Sequence, residues 1–147
     1  MVIAFCGHSE YRENKEDEKR IIEVIKSKID DRPCDFFLGE YGNFDKFCYN
    51  IAKKIKEEKT NVKLVFVTPY IEEIYIKKRT EGKNRFDMIL YPELEKIPYR
   101  YAITHRNRWI VQRAELIIAF VNRKYGGAYA MYKYAKRMGK EVYNIAE

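Results

Sequence analysis

CDFFLGEYGNFDKFCYNIAKKI, residues 34–55, contains a strand, a turn and a helix in one piece. Cys34 to Leu38 is an apolar, aromatic run too short for a helix, and it stops at Gly39. Past Gly42 the period changes. Phe44, Phe47, Cys48, Ile51, Ala52 and Ile55 fall at i, i+3, i+4, i+7, i+8 and i+11, one face of a helix, and Asn43 is placed to cap it. A buried strand that turns through glycine into an amphipathic helix is half of a βαβ unit, which implies a parallel sheet covered by helices.

The alternation extends in both directions. Val2 to Cys6, Val62 to Thr68, Leu116 to Val121 and Val142 to Ile145 are further short apolar runs. After the first of them Asn14 offers an N-cap, with Asp17 three residues on and Ile21, Ile22, Ile25 and Ile29 as the apolar stripe. A third helix begins near Thr104 and turns Trp109 and Ile110 inward. A fourth runs from about Ala128 through Met131, Tyr132, Ala135 and Met138, and Gly139 is placed to end it. The expected fold is α/β: residues 1–147 form one three-layer domain, with a parallel sheet of about five strands and helices on both faces. An insertion at about 69–101 breaks the rhythm, with a short helix near Ile71 to Lys78 and an extended piece near Met88 to Tyr91. Such a segment at the strand carboxyl edge serves as a lid or interaction surface, or is an ornamental loop.

At 147 residues the chain is long enough for one core, and 46% apolar with 35% charged residues argues against disorder. Cys6, Cys34 and Cys48 are odd in number and set in apolar segments, so they read as buried thiols, neither disulfides nor metal ligands. The longest apolar run, Leu116 to Val121, is too short to span a bilayer, and Val2 to Cys6 follows Met1 without a leader pattern, so a cytoplasmic protein with no membrane partner is expected. A net charge of +7 suits anionic partners. The lysines alternate with acids, as in Lys53 to Lys59, which reads as a solvated face, and no basic and aromatic strip stands out from the general surface.

In a βαβ fold every strand-to-helix junction falls on the same sheet edge. That edge would gather Gly7, His8 and Ser9, the turn Gly39 to Asp45, Thr68 with Pro69, Arg106 with Asn107, and Gly126 with Gly127. Glycine turns that open helices leave first-turn N–H groups for an anion, although glycines also serve turns that need positive φ. Arg106 can grip a phosphate with two N–H groups or pair with a nearby carboxylate. His8 can act as acid, base or phosphate donor, or simply pack. Asp45 and Glu40 are candidate catalytic groups, for holding a ribose hydroxyl or attacking an N-glycosidic bond, and Asp45 equally suits the helix dipole. Tyr41, Tyr70 and Tyr125 can stack on a base or pack in the fold.

Together the stretches Cys6 to Glu10, Leu38 to Asp45, Arg106 to Trp109 and Gly126 to Ala128 resemble the SLOG superfamily, and within it the YpsA-like proteins. Arg106 to Ile145 also resembles the equivalent part of the DNA-processing protein DprA. The resemblance implies a Rossmann-like domain with a ligand at its glycine-rich edge, contacted by Gly7, His8, Gly39, Gly42, Asp45, Arg106, Asn107, Gly126 and Gly127. It implies NAD, ADP-ribose or related nucleotides as ligands, without a shared reaction. Glu40 stands where the family usually has a second glycine. The Pro-Gly-Gly-x-Gly-Thr stretch of the LOG phosphoribohydrolases is absent.

The expected function is binding of a nucleotide or nucleotide-derived ligand, of the class NAD, ADP-ribose or nucleoside monophosphate, in a sensing or regulatory role with no cofactor required. Two alternatives stay open. One is a nucleotide N-glycosidase using Asp45 or Glu40, with Arg106 on the phosphate; the other is single-stranded DNA binding. A homo-oligomer is permitted by the many tyrosines and common in the family resembled.

Overall fold

In a computed structural model that describes residues 1–81 and 86–147, the chain folds as a six-stranded sheet between layers of helices. The strands are β1 (Val2–Gly7), β2 (Cys34–Leu38), β3 (Val62–Val67), β4 (Met88–Leu90), β5 (Leu116–Phe120) and β6 (Glu141–Asn144). The helices are α1 (Lys15–Lys28), α2 (Asn43–Glu58), α3 (Glu73–Thr80), α4 (Ala102–Arg113) and α5 (Gly127–Arg137). All five pairings are parallel, in the order β4-β3-β2-β1-β5-β6. Successive strands step outward from β1 to β4; the chain then returns to lay β5 against the other side of β1. The strand order therefore reverses at β1, and the crevice between the β1 and β5 carboxyl ends is where such folds bind ligands.

The doubly wound α/β expectation holds, with one more strand than the five expected. Met88 to Leu90, expected only as an extended piece, adds to β3 as the edge strand, with Met88 opposite Val65. Residues 82–85 of the insertion lie outside the described residues.

Alternation along each strand builds two cores. Ile3, Phe5, Phe36, Leu38 and Leu64 face Ile21 and Ile25 of α1 and Phe44, Phe47, Ile51 and Ile55 of α2. Ala4, Cys6, Phe37, Val65 and Ile117 face Ile110 and Val111 of α4 and Met131 and Ala135 of α5. Burial on both faces makes the strands read as continuous apolar runs. α3 contributes no buried residue.

Helix ends follow local chemistry. Asn14 caps α1 by accepting the Asp17 N–H at 2.8 Å, and the buried Asp17 carboxylate accepts from the Tyr11 hydroxyl at 2.7 Å. Gly139, at φ 72°, ends α5: its N–H donates to Lys136 O and the Lys140 N–H to Ala135 O, each at 3.1 Å, a Schellman pair. Three expectations shift. Gly42, not Asn43, is the α2 N-cap. α4 starts at Ala102 rather than Thr104, because a 3-10 turn over Tyr99–Tyr101 leads into it. Met138 is 46% exposed, since it lies past the last turn of α5.

Candidate functional site

The loop after β1 and the loop before α2 touch, and two glycines make that contact fit. A Cβ on Gly7 would lie 2.3 Å from the Phe44 ring, and one on Gly42 would lie 2.5 Å from Ser9 Cα. The Asn43 N–H, at the start of α2, donates to Ser9 O at 2.9 Å. Packing therefore accounts for both glycines, and it holds the loop after β1 as one wall of a crevice.

The turn after β2 forms the floor. Glu40 takes φ 50°, the left-handed region that favours glycine, and its side chain is 6% exposed. Turning there aims the Tyr41 N–H at Asp45 Oδ2, 3.0 Å away, so the α2 carboxylate closes its own turn. A Cβ on Gly39 would sit 3.3 Å from both Asp45 Oδ2 and Arg106 Nη2, so the bare backbone lets the two charged groups converge above it.

Arg106 reaches this point from α4 and is 2% exposed. Its Nη1 donates to Val67 O at 2.6 Å and Gly39 O at 3.2 Å, and its Nε donates to Asn107 Oδ1 at 2.9 Å. The guanidinium thus ties the β2 and β3 carboxyl ends to α4. Those protein partners engage Nη1 and Nε, so the expected two-pronged grip on a phosphate is not open to that pair of nitrogens. Burial pulls the Arg106 pKa down, and Asp45 opposes the shift.

The opposite wall comes from β1, β5 and α5. His8 is 3% exposed, and its Nε2 accepts the Asn122 N–H at 3.1 Å, which places the proton of the neutral ring on Nδ1. Burial first, then Arg123, lowers its pKa. The Cys6 thiol donates to Ala128 O at 3.1 Å, and burial pushes its pKa up. Gly126, at φ 92°, is the α5 N-cap, and nothing lies within 4 Å of where a Cβ on Gly127 would be.

Gly7, His8, Gly39, Tyr41, Asp45, Arg106, Asn107 and Gly127 all line this single crevice of about 130 Å³. Glu40, Gly42 and Gly126 do not line it: Glu40 is buried away from it, Gly42 packs on Ser9, and Gly126 supports the helix start. Of the two candidate carboxylates Asp45 lines the crevice, and among the described residues it is the one acidic lining group. Sequence reasoning missed Arg123, three residues before Gly126. It pairs with Glu10, stacks over Tyr125 at 4.7 Å, and its buried Nε makes no hydrogen bond among the described residues. A shallower trough of about 720 Å³ between α1 and α2 is lined by mixed charges such as the Lys54 and Glu18 pair at 2.7 Å.

A basic and aromatic strip, which sequence reading did not find, covers α4 and α5. Arg108 and Arg137 lie over the Tyr134 ring at 5.3 and 5.4 Å, and Arg113 lies over Trp109 at 3.8 Å. Residues 99–140 hold ten Lys and Arg but only one acidic residue, Glu115, a net +9 in a chain of +7. The positive charge is segregated onto this stretch, a signal that total composition hides.

The fold is similar to that in the X-ray structure of DNA processing protein A (DprA) from Streptococcus pneumoniae, with a TM-score of 0.65 at 17% identity over 96% of this chain and 48% of that one. The chain thus spans about half the length of that protein, and the likeness is one of fold. No family model matches the chain, and no curated protein matches it. No helix among the described residues is long and apolar enough to cross a membrane.

Proposed function

We propose that the chain binds a nucleotide or nucleotide-derived ligand, of the class NAD, ADP-ribose or nucleoside monophosphate, in a sensing or regulatory role. The observation that carries this reading is the convergence of the α5 N-terminus, Arg106 and Arg123 outside the carboxyl ends of β1 and β5. Peptide N–H groups at a helix start, with two cations beside them, suit a phosphate. Size narrows the mode. About 130 Å³ is below the roughly 300 Å³ at which pockets enclosing whole small molecules begin, so the crevice suits a phosphate and sugar with the base at the rim.

The groups that would do chemistry are otherwise occupied, which supports binding over turnover. Asp45 holds the Tyr41 N–H, His8 Nε2 holds Asn122, and the Cys6 thiol is protonated and engaged. Calorimetry and thermal shift with AMP, ADP-ribose and NAD test the reading. Saturable binding is expected, weakened about tenfold or more in Arg123→Ala, the scale of one charge-assisted hydrogen bond. A folded sample that responds to none of the three refutes it. Release of free base, abolished by Asp45→Asn, would favour the N-glycosidase alternative instead.

The segregated charge supports a second reading, single-stranded DNA along α4 and α5, where the Tyr134 ring lies among arginines. The solved neighbour is a DNA processing protein, in keeping with this. Fluorescence anisotropy with an oligonucleotide should show affinity falling steeply with salt and lost in Arg108→Glu with Arg137→Glu. Equal affinity in that double variant removes the reading.

A further inference from the structure

A nucleotide seated by its phosphate leaves its base outside the enclosed part of the crevice, and the insertion places an unusual set of side chains at that rim. Tyr41 lines the crevice and is 53% exposed. Arg79, from α3, holds its guanidinium carbon 5.8 Å over the Tyr41 ring and 5.2 Å over the Tyr75 ring. Behind them Tyr75 meets Tyr70 edge-on at 4.9 Å, and Tyr70 stacks on Tyr99 at 4.1 Å with an interplanar angle of 13°. The Tyr75 hydroxyl is buried and makes no hydrogen bond among the described residues. α3 buries none of its residues, so core packing does not explain why it carries these groups.

Burial is the main cause that lowers the Arg106 pKa, and the charge of Arg79 adds a smaller repulsion in the same direction. An anion seated there would relieve that repulsion. We infer that the insertion supplies a base subsite: the aromatic ring of the nucleotide base inserts between the Tyr41 ring and the Arg79 guanidinium. A ring held at van der Waals distance from both planes needs them about 7 Å apart, so Arg79 must withdraw by roughly 1 Å. No residue of α3 is fully buried, so the Arg79 side chain can make such a movement at small cost. The ligand class is accordingly a nucleotide with its base, in preference to a sugar phosphate or inorganic phosphate.

This inference rests on the nucleotide reading, and one titration series separates the two. Calorimetry with inorganic phosphate, ribose 5-phosphate and AMP is run on the wild-type chain and on Tyr41→Ala, Arg79→Ala and Tyr41→Phe. AMP is expected to bind the wild type about tenfold or more tightly than ribose 5-phosphate, the usual scale of base stacking. That ratio should collapse toward one in Tyr41→Ala and Arg79→Ala and survive in Tyr41→Phe, with circular dichroism checking that each variant is folded. A wild-type ratio near one, with both ligands bound, overturns the base subsite and leaves the phosphate crevice standing. A large ratio retained in both alanine variants also overturns it. Failure of all three ligands to bind overturns the nucleotide reading and this inference with it.

Discussion

Replacing Arg106 with methionine measures its duty as a tie within the fold. Methionine keeps the unbranched apolar stem without the guanidinium or its charge, and the site is 2% exposed. The change strands Val67 O and Gly39 O, which now accept from Nη1 at 2.6 and 3.2 Å, and removes the Arg106 charge that Asp45 favours. Each unsatisfied buried carbonyl costs about 1–3 kcal/mol, partly offset because a guanidinium no longer has to be desolvated. A net loss of about 3 kcal/mol follows. With an unfolding entropy of about 2.1 cal/mol/K per residue, a chain of 147 residues unfolds with about 0.3 kcal/mol/K, so Tm falls by about 10 °C. Arg123→Met, which loses a pair whose side chains are 30% and 57% exposed, should cost about 0–1 kcal/mol, or no more than about 3 °C. Scanning calorimetry without ligand measures both. If Arg106→Met melts within about 2 °C of the wild type, the guanidinium is not a structural tie, and the account of the crevice floor is wrong.

Gly7→Ala drives a methyl into the Phe44 ring and should cost about 1–3 kcal/mol, whereas Gly127→Ala meets open space at the first turn of a helix and should leave Tm unchanged or raised; equal Tm values for the two variants would contradict the packing. Because burial depresses the His8 pKa, the unfolded chain takes up a proton more readily, so stability is full above the ordinary value of 6.5 and falls as pH drops toward the folded value. Melting curves between pH 7.5 and 5.5 should show this slope, reduced in His8→Gln; an identical slope in that variant removes the assignment. Cys6, Cys34 and Cys48 are buried, with Cys34 pushed up to about 11, so a thiol reagent at pH 8 should label none of them in the native chain and all three in denaturant. Prompt native labelling would show that the sheet core opens.

Much of the fold was legible because local chemistry and global packing agree. The βα unit at Cys34 to Ile55 is signalled by a change of period across glycine, and the same rule finds β1, β3, β5 and β6. β4 escaped because Met88 to Leu90 is three residues long, and a strand that short is defined by its pairing with β3 more than by its own pattern. The site was legible as a list of junctions, since parallel topology alone brings Gly7, Gly39, Arg106 and Gly127 to one edge. Side-chain direction was not. Nothing in the sequence says that Glu40 takes a left-handed backbone angle, that Arg106 returns its donors to two strand ends, or that Gly42 is spent on Ser9. Arg123 and the +9 of residues 99–140 were available in principle, from charge counted along the chain instead of in total.

The place of β5 beside β1 also fixes the order in which the crevice can come into being. During synthesis, β1 to β4 can assemble from roughly the first ninety residues, but one edge of β1 stays open until Leu116 pairs with Ile3. Arg123 and the start of α5 emerge later still. A chain interrupted before them has most of a sheet and only part of the crevice lining, so the crevice is complete only once α5 has been made.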